Sequence, residues 1–84
     1  MAIDNKNKEL IAVGASITAN CQPCLQYHSN KALEFGANAE EIAEAIEMGK
    51  QVRKGAAAKM DGFAASLKDV PPAPSGAKDP VCCG

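Results

Sequence analysis

With 84 residues the chain has room for one domain, and its 9 basic and 10 acidic residues leave a net charge of −1. That balance, with 4% aromatic residues and no Trp, supplies neither the basic footprint nor the stacking platforms of a nucleic-acid binder, nor a charge to hold an anionic membrane. The start, Met1 to Lys6, lacks the basic-then-apolar pattern of a secretory signal, and no apolar run approaches the ~20 residues that span a bilayer, so a cytoplasmic location is expected.

The first helix is expected from about Asn5 to Ala19, where Leu10, Val13, Gly14 and Ile17 recur at spacings of three and four. Ile11 and Ala15 widen this apolar stripe, and polar Thr18 and Asn20 mark a turn just before Cys21. The second helix is expected from about Gln22 to Phe35. Pro23 fits its first turn, where the missing N–H loses no partner, and Gly36 provides a left-handed stop. Asn38 followed by Glu41 is a capping pattern. From there Ile42, Ile46, Gly49, Val52, Ala56, Met60, Phe63 and Leu67 keep helical spacing for about seven turns. Gly55 is the weak point of this third helix, where a kink or interruption is expected. Ala56–Ala58, Ala64 and Ala65 permit close approach of a neighbouring helix, and Met48 and Met60 read as core or subunit-contact residues. The charges in Lys6–Glu9, Glu40–Glu47 and Lys50–Lys59 read as solvated helix faces without a site.

From Val70 the run Pro71-Pro72-Ala73-Pro74-Ser75-Gly76 cannot continue a helix, so residues 70–84 read as a flexible Pro/Gly-rich tail ending in Cys82-Cys83-Gly84. The fold class is therefore all-α: a small antiparallel unit of two shorter helices and one long one over residues 1–69, with that tail attached. So short a chain buries a limited core, and a third helix that outreaches the first two predicts a homo-oligomer, with part of its face against another subunit.

In a reducing compartment, four cysteines read as catalytic or metal-binding rather than as structural staples. Only a thiolate is a good nucleophile, and the unpaired N–H groups at a helix start favour the anion. Cys21 at or just before the N-cap and Cys24 in the first turn would let the two sulfurs meet in a disulfide without unwinding the helix. His28 lies four residues after Cys24 and seven after Cys21, on the same helical face. Its imidazole can take the thiol proton as a general base. That ring needs an orienting partner, and Glu9 is the candidate. Spacing does not select Glu9 over the other acids, and beside Leu10 it reads as readily as a solvated surface residue. Tyr27 reads as packing. The competing reading is a zinc site, with Cys21, Cys24 and His28 as ligands completed from the tail. Cys82 and Cys83 have two uses that stay open. The reduced pair is a soft-metal or metalloid clamp, or a relay that passes electrons to the Cys21–Cys24 disulfide by exchange.

The arrangement Glu9-x11-Cys21-x-x-Cys24-x3-His28 resembles the signature of the carboxymuconolactone decarboxylase-like family, in its alkylhydroperoxidase D branch. Ile11-Ala12-Val13-Gly14-Ala15, Leu33-Glu34-Phe35-Gly36-Ala37 and Glu40-Glu41-Ile42 are similar to that family too, and the likeness extends from about Glu9 to Ala65. The resemblance implies an all-helical oligomer (dimer, trimer or hexamer) acting as a peroxidase or disulfide reductase without a resident cofactor. By similarity, Cys24 is the attacking thiolate, Cys21 the more exposed resolving thiol, and Glu9 with His28 the proton relay. An external dithiol, in that branch a lipoyl-bearing partner, reduces the product disulfide. The sequence departs from the branch in having Pro23 where a second His precedes the attacking Cys, and a proline relays no proton. It is also shorter, with a single copy of the helical unit. The decarboxylases of the family use no CxxC pair, so lactone decarboxylation is the weaker inheritance.

Overall fold

The computed structural model describes residues 2–71; Met1 and residues 72–84, with Cys82 and Cys83, lie outside the described residues. Three helices follow in order: α1 (Asn5–Thr18), α2 (Gln22–Glu34) and α3 (Ala39–Ala65). No strand occurs among the described residues.

Each helix starts on a side chain that accepts a free backbone N–H. Asp4 accepts from Asn7 N at 2.8 Å to open α1. Asn38 accepts from Glu41 N at 2.8 Å while Glu41 accepts from Asn38 N at 3.0 Å, a complete capping box at α3. The first two helices end alike. After α1, Asn20 enters the left-handed region at φ 57°, Asn20 N donates to Ile17 O at 3.1 Å, and Cys21 N donates to Ser16 O at 3.0 Å. After α2, Gly36 takes the same role at φ 99°, with Gly36 N bonded to Leu33 O and Ala37 N to Ala32 O. Both are Schellman closures, and each points the chain back along the helix it leaves.

α1 is the centre of the molecule, packed against both α2 and α3, which scarcely meet each other. It crosses α3 very closely. A Cβ added at Gly49 would lie 2.8 Å from Ile17 Cβ and 3.1 Å from the Gly14 carbonyl carbon, so only glycine fits there. Thr18 Oγ1 adds a hydrogen bond of 3.2 Å to Gly49 O across the crossing. Within the chain the close approach is made by Gly14 and Gly49, while Ala56–Ala58, Ala64 and Ala65 stand exposed.

The core is small. Val13 and Ala32 are fully buried, Ala37 nearly so, and Ser16 is buried with its hydroxyl donated to Ala12 O at 2.7 Å. Two expectations are corrected here. Ile11, read as part of the inward stripe, is 59% exposed, because the stripe of α1 is wider than the two helices covering it. α3 runs through Gly55 without interruption, since one glycine costs only about 1 kcal/mol against a long helix. At ~1.5 Å per residue α3 measures about 40 Å against about 21 Å for α1. Beyond the crossing, the contacts of Arg53 apart, no described residue packs on it, and every residue from Lys50 to Pro71 is exposed, Met60 and Phe63 by 65% and 64%.

Candidate active site

The Schellman closure of α1 and the start of α2 share one residue. Cys21 donates its N–H back to α1, and its sulfur is the N-cap of α2, accepting from Cys24 N at 3.2 Å. Pro23 occupies the first turn, where no backbone bond is lost. The Cys21 backbone is thereby fixed from both sides, and Cys24 stands one turn along with its Cα 5.2 Å away. The two are joined as a disulfide. The first-turn N–H groups and the positive end of the α2 dipole face the pair, which favours the thiolate form when the bond is reduced.

His28 follows one turn later on α2. Its Nδ1 lies 2.6 Å from Oε1 of Glu9, reaching across from α1, with side chains 30% and 21% exposed. Of the acids that sequence spacing left equivalent, the packing of α1 on α2 brings this one to the imidazole. With Nδ1 held by a carboxylate, Nε2 has no partner among the described residues. This contact fixes the orientation of the ring and leaves Nε2 as its other polar atom. Tyr27 is exposed rather than packed, its ring edge-on to His28 at 5.0 Å between centroids and 5.9 Å from Lys31 Nζ.

One expectation is reversed. Cys24 is exposed and Cys21 half-buried, because Cys21 is tied into the turn against Ser16 while Cys24 lies a turn further along α2. A pocket of about 200 Å³ reaches Cys21, lined by Ser16, Ile17, Asn20, Gln22, Leu25 and Arg53. Arg53 of α3 enters it with Nη1 donating to Ile17 O at 3.2 Å and to Asn20 Oδ1 at 2.7 Å. Sequence reasoning gave Lys50–Lys59 no site and so missed Arg53. Its position four residues after Gly49, on the face that crosses α1, was the available signal.

Among the described residues no group of three or more His, Cys, Asp or Glu side chains is placed to hold a metal ion. The tail pair Cys82 and Cys83 lies outside them. No helix among the described residues is long and apolar enough to cross a membrane.

The carboxymuconolactone decarboxylase family model matches residues 2–67. Among curated proteins, the chain is 39% identical over 56 residues to "Uncharacterized protein 4 in cox locus" of Paracoccus denitrificans, covering 67% of this chain and 50% of that protein. It is 41% identical over 46 residues to an uncharacterized protein of Cupriavidus necator, covering 50% of this chain and 41% of that one. The chain thus spans half or less of the length of these relatives. No solved structure matches it.

Proposed function

Since the chain belongs to the carboxymuconolactone decarboxylase family, we propose that it is a thiol–disulfide oxidoreductase of the alkylhydroperoxidase D-like kind, cycling Cys21 and Cys24 between dithiol and disulfide. The observation that carries this reading is the bonded Cys21–Cys24 pair at the start of α2, with the Glu9–His28 contact of 2.6 Å one turn further on.

In the cycle, His28 takes the Cys24 thiol proton and Glu9 stabilises the resulting imidazolium. The Cys24 thiolate attacks the terminal oxygen of a hydroperoxide, the O–O bond breaks, and His28 returns its proton to the leaving alkoxide. Cys21 then attacks the Cys24 sulfenic sulfur and releases water, forming the disulfide. A thiol reductant restores both cysteine thiols, its own sulfurs carrying away the two electrons as a disulfide. The exposure of Cys24 supports its role as the sulfur that meets the oxidant. Pro23 carries no proton, so the relay rests on His28 and Glu9 alone.

Turnover of an organic hydroperoxide with a dithiol reductant tests this directly. Cys24→Ser is expected to abolish it, and His28→Ala to slow it by about 100-fold. Persistent turnover in Cys24→Ser would overturn the assignment of the nucleophile, and an absence of any peroxide or disulfide turnover in the native chain would overturn the function.

The working form is read as a homo-oligomer. An apolar groove of about 680 Å³ between α1 and α3, lined by Ile3, Leu10, Ile11, Ala15, Met48 and Val52 among others, continues at Val52 into the bare half of α3. As one continuous helix, α3 cannot fold back onto that groove, and we propose that the exposed Met60–Phe63 segment of a second copy covers it. So small a core argues for the same partner. Sedimentation of the full chain is expected to show a multiple of 8.7 kDa, reduced by Phe63→Asp; a native monomer would refute this.

A further inference from the structure

Arg53 has no part in the cycle above, yet it stands in the wall of the pocket that opens on Cys21. Its anchorage is unusual for a cation, because both acceptors it uses, Ile17 O and Asn20 Oδ1, are neutral. These two bonds occupy Nη1, while the N–H groups of Nη2 and Nε have no protein partner among the described residues. The ion pairs among those residues join Lys6 to Glu41, His28 to Glu9 and Lys31 to Glu34, and none involves Arg53. Among the described residues no carboxylate lines the pocket. Asn20, held in the left-handed turn, fixes the guanidinium in place. The result is a positioned positive charge, without an ion-pair partner among the described residues, in a pocket that Cys21 also lines, next to the positive end of α2. Cys24 does not line this pocket, so a molecule entering it meets Cys21, with Cys24 as the sulfur to be displaced.

We propose that this pocket seats the electron donor, and that the donor is a small thiol bearing a carboxylate, which Arg53 holds through its free N–H groups. The inference rests on the redox reading and deepens it by naming the donor's chemical class. The donor thiolate attacks Cys21 Sγ, the Cys21–Cys24 bond breaks, and Cys24 leaves as a thiolate that is protonated from solvent. A second donor thiolate attacks the donor sulfur of the mixed disulfide, and Cys21 leaves as a thiolate protonated from solvent. Two donor thiols become one disulfide, and their two electrons reduce the Cys21–Cys24 bond.

The test is single-turnover reduction of the oxidised full chain by mercaptopropionate and by mercaptopropionamide, nearly isosteric thiols differing in charge, with rate constants expressed per thiolate. The native chain is expected to favour the carboxylate by about tenfold. Arg53→Gln is expected to bring that ratio close to one, and Arg53→Lys to keep part of it. Because the ratio is taken within each variant, a general loss of folding does not imitate the result. Equal ratios in the native chain and Arg53→Gln, with both thiols active, overturn the donor assignment and leave the redox cycle standing. A disulfide that neither thiol opens overturns the redox cycle itself.

Discussion

The two halves of α3 obey one sequence pattern and meet two different fates. From Ala39 to Gly49 the helix packs on α1, half-burying Ile42 and Ile46 and burying Gly49 at the crossing. From Lys50 onward the same spacing of Val52, Met60, Phe63 and Leu67 continues, and all four are exposed by 45% or more. Helical periodicity therefore reports a face that requires a partner, without reporting whether the partner lies in the same chain. The glycines sharpen the contrast: Gly49 is hemmed in by backbone of α1, whereas a Cβ at Gly55 would meet nothing within 4 Å.

The largest test of this contrast is Gly49→Ala. Its methyl group would press on the backbone of Gly14, which cannot yield cheaply, so a loss of about 3 kcal/mol is expected. That corresponds to roughly 15 °C in thermal midpoint for a chain of this size, measured by circular dichroism. An unchanged midpoint would mean that the helices do not cross this closely. Val13→Ala comes next: it empties part of a fully buried site and is expected to cost about 2 kcal/mol in denaturant unfolding. Gly55→Ala should run the other way and stabilise by about 1 kcal/mol, through helix propensity alone. A fall in midpoint for this variant would reveal that a second copy approaches α3 at Gly55 as closely as α1 does at Gly49.

The smallest expected effect lies at the capping box. The Asn38 backbone N–H holds the Glu41 carboxyl below its ordinary value of 4.5, with Lys6 at 3.1 Å assisting. A depressed folded-state value means that this stabilisation is complete above about 4.5 and disappears as pH falls through the lower, folded value. Glu41→Gln should accordingly lower the thermal midpoint slightly at neutral pH, with the gap to the native chain closing in acid. A gap that does not change with pH would assign the effect to geometry rather than charge.

The helices and their ends were legible in the sequence because their causes are local. Asn38 with Glu41, Pro23 in a first turn and Gly36 after a helix act over three or four residues, and the helices end within two residues of the expected places. The Cys21–Cys24–His28 spacing is local in the same sense. Spacing alone did not pick the partner of His28; the family resemblance pointed to Glu9, and the packing of α1 on α2 brings it there. Arg53 was not legible, its charge resembling its neighbours' until the Gly14–Gly49 crossing brought α3 to the end of α1. The relative exposure of Cys21 and Cys24 was read the wrong way round, because it depends on the turn that ties Cys21 to Ser16.

Taken by itself, the sequence determined which segments are helical, where each begins and ends, and that two sulfurs share a helix start, because backbone capping and side-chain periodicity act over a few residues. The tertiary structure decided how a carboxylate of α1 reaches the imidazole of α2, which cation shares a pocket with Cys21, and which part of the apolar face stays exposed among the described residues. Those outcomes depend on how closely two helices can approach, and that is set where Gly14 and Gly49 let their backbones meet.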